Sequence, residues 1–489
     1  MSERLSRWLP LAVFAVVLGV RLVYLASLER DALSRWPSWT ETDEHGTLVW
    51  SERLAAGNWL DSPPFRHYAE WQRRFGTPEQ WNSWYPRNAY YQGVLYPYLV
   101  AAARLTFRAP VFPVRLGQSL LAAAAAAALA AASRNVAARR GSGRAALAAG
   151  AVSGLAAGLY APALFHDGFV QRDGPLLSLS ILLLAAPFLR PARSAAGAAA
   201  TGLVGAAAVL FKQTALPLAL ASLWAAVRQA DGGAGGSDGG KGGSRRGRLM
   251  VGALALSIPL LLLVGRNLAV GASPFAYDTR QVVGFAGYVS SGSDGSVVPS
   301  PLMGAILEAA KGSTWKAAVL SVESHRERPA GLFLLFGRKV ATFFHGFEVP
   351  DNASFYLFQR RLFPLRFLPL YGCLLGPGLV GLFLAARQRL FSPPETLAVL
   401  AALLVPFASS VLPALTSRYR LGIAAPLALG AGLLVAFLLS AEIGARRKAV
   451  VCAAALALSA VTLLPSVIPA SRFRAADEQV LQGLISGRW

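Results

Sequence analysis

The sequence has 489 residues, 54% of them hydrophobic and only 15% charged, with a formal net charge of +22. Apolar runs of roughly 20 residues recur along it, the length that crosses a bilayer as a helix, so a soluble domain is excluded. The short alternating segments of a β-barrel are absent. Most of the positive charge lies between the apolar runs, where orientation in a membrane accounts for it, and no nucleic-acid partner is expected.

The first run lies over 8–28 behind Arg4 and Arg7, and Arg21 interrupts it. It is too long for a signal peptide and no small-residue cleavage pattern follows, so it reads as a retained span. Arg21 either snorkels or faces the interior of a bundle. A long polar segment, 29–113, comes next and opens on Thr40-Glu41-Thr42-Asp43-Glu44-His45-Gly46. Three carboxylates stand within four residues, in a chain with 25 acids against 47 Lys+Arg. Thr42 is a plausible N-cap, Asp43 and Glu44 fill a first turn whose dipole favours negative charge, and Gly57 suits the stop. The rest of the segment is rich in Trp and Tyr, which favour the membrane interface. A helix over 95–107 is short and contains Arg104, so it is expected to lie in the interface.

Further spans are predicted near 114–132, 145–164, 174–189, 194–211, 213–227, 249–265, 367–386, 395–413, 420–440 and 449–468, eleven with the first. This map places eighteen Lys and Arg on one side, from Arg4 to Lys448, as the positive-inside rule requires. Counting 95–107 or 330–345 as a span would invert later clusters. The Gly-rich stretch within 229–248 reads as a flexible cytoplasmic linker; it lacks the Gly-Lys-Ser/Thr ending of a phosphate loop. Residues 266–365 form a second external segment, expected to be a small helical cap with helices over 302–320 and 330–345. Cys373 and Cys452 lie in apolar runs and read as small core residues. The chain thus divides into an N-terminal membrane core (1–265), an external cap (266–365) and a C-terminal membrane segment (366–489). The expected fold is an all-α, polytopic membrane bundle.

Unusual side chains gather at the outer face of this map: Asp43 and Glu44; His166, Asp167, Arg172 and Asp173 in one turn; Lys212; Arg266; and Arg418, Tyr419 and Arg420. Charges at membrane depth are costly and usually face a cavity; taken singly, each is as readily a snorkelling base or a structural ion pair. Together they suit one chemistry. Bases would clamp a lipid phosphate and stabilise it as leaving group, and a carboxylate would deprotonate an acceptor. Lys212, Arg266, Arg418 and Arg420 are the candidate phosphate ligands. Glu41, His166, Tyr96 and Tyr419 are candidates for substrate contact. A lone His makes a poor metal site, whereas Glu41, Asp43, Glu44 and Asp173 could hold a hard cation.

On these residues the chain resembles the GT-C superfamily of polyprenyl-phosphate-dependent glycosyltransferases, which includes protein O-mannosyltransferases and the aminoarabinose transferase of lipid A. Thr42-Asp43-Glu44 resembles the family's Asp-Glu motif in the first external loop, and Tyr96-Pro97-Tyr98 its juxtamembrane helix. Arg139-Arg140-Gly141 resembles the basic stop after its second span, Asp173 its second-loop acid, and Ser417-Arg418-Tyr419-Arg420 its basic-aromatic motif. His45-Gly46 and the long stretch 58–92 depart from the pattern. The resemblance implies a GT-C-like bundle with two long external loops. It implies an inverting glycosyltransferase of the cytoplasmic membrane, facing outward, with no cofactor or metal, and with Asp43 as base beside Glu44 and Asp173. The partners implied are a polyprenyl-phosphate sugar donor, a lipid, glycan or protein acceptor, and membrane lipid. The alternative is a lipid-linked glycan transporter, which would carry its charges at the midplane of repeated halves.

Overall fold

A computed structural model describes residues 2–60, 70–85, 88–189, 194–228, 244–277, 280–295, 300–351, 353–413, 416–464 and 471–486. Among the described residues the chain is helical and contains no strand. The N-terminal half comprises α1 (Ser2–Glu29), α2 (Asp43–Ala55), α3 (Glu70–Phe75), α4 (Pro78–Trp84), α5 (Leu95–Thr106), α6 (Val111–Ala137), α7 (Gly143–Gly158), α8 (Ala161–Asp167), α9 (Asp173–Ala185), α10 (Ala195–Phe211), α11 (Leu216–Arg228) and α12 (Arg245–Ala269). There follow α13 (Gln281–Tyr288), α14 (Pro301–Ala310), α15 (Thr314–Glu323), α16 (Pro329–Phe344), α17 (Phe355–Arg361), α18 (Tyr371–Arg387), α19 (Pro393–Val411), α20 (Ser417–Arg420), α21 (Ala424–Leu439), α22 (Ala445–Ala460) and α23 (Ser471–Ser486).

Each of the eleven predicted spans contains a helix, but they are not equal. Among the described residues, five helices are long and apolar enough to cross a membrane alone: Ser6–Glu29, Val111–Ala137, Arg245–Ala269, Pro393–Val411 and Ser417–Leu439. A sixth is possible if α7 and α8, bent by 47°, form one broken span. Asp173–Phe188, Ala195–Phe211 and Tyr371–Arg387 are apolar but shorter. The protein is a multi-pass membrane protein. Arg190, Arg193 and Lys241 of the basic set, and most of the Gly-rich linker, lie outside the described residues.

Without a hydrophobic drive between helices in lipid, close association depends on small residues that let backbones approach. The α1–α6–α7 contact follows this rule. A Cβ at Gly150, Gly154 or Gly158 of α7 would run into Leu9, Val13 or Val17 of α1 or the Ala130 turn of α6. The α18–α21 seam is tighter still: a Cβ on Gly381 would collide with the Gly430 carbonyl, and one on Gly430 with that of Gly378.

Outside the bundle, α5 has twelve residues, about 18 Å at the helical rise, too short to span. It packs beside α2. The pattern over 302–320 is not one helix. Lys311 and Gly312 adopt φ of 46° and 79°, which ends α14 and starts α15 afresh. These helices close over Trp81, Trp84 and Tyr85 with α13, forming a small aromatic core. The cysteines correct the sequence reading: Cys373 and Cys452 are exposed on the outer faces of their helices, not in the core. Arg21 is buried, ion-paired to Asp167, and donates to the Gly158 carbonyl at 3.0 Å.

Candidate active site

The site begins at the N-terminus of α2. Thr42 leaves the helix in an extended conformation and its hydroxyl accepts the His45 amide at 3.1 Å. That fixes Asp43 and Glu44 on the first turn, both buried, with the helix dipole favouring their charge. The two then diverge. Glu44 turns into the bundle: its Oε1 accepts the Val170 amide at 2.7 Å and lies 3.6 Å from Arg115, which also pairs with Glu29 at 3.0 Å. Burial pushes the Glu44 carboxyl above its ordinary range, opposed by Arg115 and the Val170 amide.

Asp43 turns toward two guanidiniums. Its Oδ2 accepts from Arg418 at 2.6 Å and from Arg280 at 2.8 Å. Arg418 also lies 3.8 Å from Asp173, the first residue of α9, and its Nε is 2.6 Å from Asp351. Three aspartates from three distant segments thus converge on one arginine. Arg418 is buried, and a charge held there without partners would cost several kcal/mol. Its Nη2 has no hydrogen-bond partner among the described residues. Burial drives the Asp351 carboxyl up, and Arg418 pulls against that shift.

Two hollows meet at Asp173 and Arg418. A narrow polar one is lined by Asp43, Thr47, Gln92, Tyr96, Arg172 and Asp173, among others. A larger cleft runs between α9, α11 and α19, with Leu177, Leu218, Val405 and Pro406 on its walls. Lys212 and Tyr419 stand at its head, the ammonium 3.6 Å above the ring. The arrangement is an apolar slot that ends on cations and adjoins a polar chamber ending on a carboxylate.

The other predicted residues are placed differently. Arg420 is 2.8 Å from Glu348, donates to the carbonyls of Phe343 and His345, and lies 4.1 Å over Tyr371. Burial raises the Glu348 carboxyl, and Arg420 opposes it. Arg266 donates to Asn88 and Leu60 carbonyls at 2.8 and 2.9 Å and lies over Tyr90 at 3.7 Å. Both arginines fasten external segments rather than line either hollow. Tyr96 donates to Gln118, which in turn donates to the Asp167 and Phe169 carbonyls, and so braces the turn before Asp173. His166 is buried beside that turn, 4.9 Å from the Phe165 ring. Glu41 is partly buried ahead of the cap and lines neither hollow.

Sequence reasoning did not single out Arg280, Asp351 or Arg115. Asp351 ends the segment Glu348-Val349-Pro350-Asp351, where scarce acids recur, and that was its one signal. Arg280 offers none. Among the described residues no group of three or more His, Cys, Asp or Glu is arranged to hold a metal ion. Asp43, Asp173 and Asp351 converge on a guanidinium of the chain itself, a donor set already matched to a cation.

No family model matches this sequence, and no curated protein does. Among solved structures, three crystal structures of the Archaeoglobus fulgidus oligosaccharyltransferase are similar. The apo form is 14% identical, with a TM-score of 0.40 over 96% of this chain and 57% of that one. The form tethered to an acceptor peptide containing the NVT sequon is 15% identical, with a TM-score of 0.39 over the same shares. The complex with Zn and sulfate is 16% identical, with a TM-score of 0.38 over 95% and 54%. The chain therefore spans a little over half the length of the structures it matches.

Proposed function

We propose that the protein is an inverting glycosyltransferase of the GT-C type. It would move a sugar from a polyprenyl-phosphate donor to a lipid, glycan or protein acceptor at the outer face of a cytoplasmic membrane. One observation carries this reading: an apolar cleft headed by Lys212 and Arg418 opens beside a polar chamber that ends on Asp43. A lipid tail suits the first, and an acceptor hydroxyl or amine the second. In that arrangement Asp43 removes the acceptor proton as the new glycosidic bond forms. The bond from the anomeric carbon to the phosphate oxygen breaks on the opposite face, inverting the centre. Arg418 and Lys212 take up the charge that grows on the departing phosphate. Asp173, at the head of α9 near Arg418, orients that guanidinium and adds to the field at Asp43. Eleven crossings with the basic loops in the cytoplasm would place this site outside.

The test is transfer by the purified protein of radiolabelled sugar from a polyprenyl-phosphate donor, or slow hydrolysis of that donor. Movement of intact donor between leaflets of a proteoliposome, with no transfer or hydrolysis, would overturn the reading in favour of a transporter.

A further inference from the structure

The three carboxylates around Arg418 are not equivalent. Asp43 and Asp173 have side chains 9% and 6% exposed, whereas that of Asp351 is 24% exposed. Asp43 makes a well-aligned hydrogen bond to Nη1. Asp351 approaches Nε to 2.6 Å, yet Nε makes no hydrogen bond among the described residues: the contact is an ion pair out of line. The segment carrying Asp351 is fastened upstream. Arg420 holds the carbonyls of Phe343, His345 and Phe347, and both the amide and the hydroxyl of Ser417 donate to the Val349 carbonyl, at 3.2 and 3.0 Å. That anchoring stops two residues short of Asp351. Asp351 therefore leaves Arg418 at a lower cost in desolvation than Asp173, and without the hydrogen bond that Asp43 would lose.

We propose that Asp351 is a positioning residue that competes with the donor's phosphate for Arg418, keeping the guanidinium aimed at the site and yielding its edge when the phosphate arrives. This rests on the reading of Arg418 as a phosphate ligand. A carboxylate and a phosphate present the same pair of oxygens to a guanidinium fork, so each excludes the other at one edge. Arg280, which donates to the same Asp43 oxygen as Arg418, stays in place and keeps that carboxylate oriented while Arg418 changes partner. The swap has a pH signature. Asp351 faces Arg418, Asp43, Arg280 and Asp173, and Tyr288 of α13. Lys212, Arg172 and His166 lie around Asp173. Partial burial beside Asp43 places the Asp351 carboxyl above its ordinary range, so as pH falls it takes a proton and releases Arg418.

The experiment measures binding of a prenyl methyl phosphodiester, whose single charge is constant across the range, to the full-length protein in detergent by titration calorimetry. Asp351→Asn should bind about tenfold more tightly than wild type, the worth of removing one charged competitor. Asp351→Glu, which restores the charge, should match wild type. Wild-type affinity should rise as pH falls through the acid range toward 4, and Asp351→Asn should be flat over the same range. Binding by wild type with no gain in Asp351→Asn overturns the competition and leaves the phosphate site standing. A pH dependence that persists in Asp351→Asn also overturns it, by assigning the titration to another group. Absence of binding by wild type and by Asp351→Asn overturns the phosphate site and the competition together. Should Asp351→Asn fail to fold, the wild-type pH series decides alone: affinity that does not rise on acidification overturns the proposal.

Discussion

At the scale of single residues, the site separates a proton acceptor from its supports. Asp43→Asn keeps the shape and the hydrogen bonds to Arg280 and Arg418 but cannot take a proton. Turnover should fall by about 10²–10⁴-fold with donor binding nearly unchanged. Single-turnover transfer beside a binding isotherm checks both halves; near wild-type transfer would move the base to another carboxylate. Arg418→Ala should behave otherwise, raising the donor dissociation constant by about ten- to a hundredfold, with Arg418→Lys rescuing only in part because the planar fork is lost. Arg420→Ala should act through stability, since its donors go to carbonyls and to Glu348, both buried. Removing one partner of such a pair costs about 3–5 kcal/mol. A lower melting temperature with donor affinity per folded molecule retained would separate Arg420 from Arg418. A selective loss of donor affinity would return it to the phosphate site.

At the scale of elements, much of the site could be read from sequence, and the limits of that reading are physical. Asp43 and Asp173 stood out because acids are scarce, and Lys212 and Arg418 because they break the charge asymmetry of the loops. What sequence does not reveal is where a buried base spends its donors. Arg266 and Arg420 carry the same signal as Arg418, yet their hydrogen bonds go to backbone carbonyls many residues away. Arg280 was silent, and Asp351 nearly so, for the converse reason: they are ordinary loop residues until a distant partner, Asp43 or Arg418, is brought to them by the fold. The span count is a different case. Helices such as α9 and α10 are apolar but short, and shortness is tolerated where neighbours rather than lipid surround them. One junction of elements makes a direct prediction. Gly93, on the wall of the polar chamber, lies so close to the end of α10 that a Cβ would collide with the Phe211 carbonyl, the residue before Lys212. Gly93→Ala should cost about 1–3 kcal/mol as overpacking does. It should also weaken phosphodiester binding by displacing Lys212; calorimetry and thermal unfolding in one detergent test this, and unchanged affinity would disconnect Gly93 from the cationic head of the cleft.

At the scale of the whole molecule, orientation is read by which loops an impermeant reagent reaches. In a background with Cys373 and Cys452 replaced by Ser, cysteines at positions 140 and 447 should resist an impermeant thiol reagent in intact cells. One at Trp315, which is 79% exposed on α15, should react. Labelling at 140 from outside would reverse the map and put the site in the cytoplasm. The seam between α18 and α21 bears on how such a site can work. Glycines there bring two backbones into direct contact, so the pair has no side-chain layer to slide on and behaves as one rigid strut. Arg418 stands just ahead of that strut, one short turn before α21. The cation is in effect bolted to the frame, while Asp351, which answers it, hangs beyond the end of a fastened segment. Substrate traffic should therefore register in amide exchange beyond Val349, around Asp351, against a protected and unchanging background over 424–439.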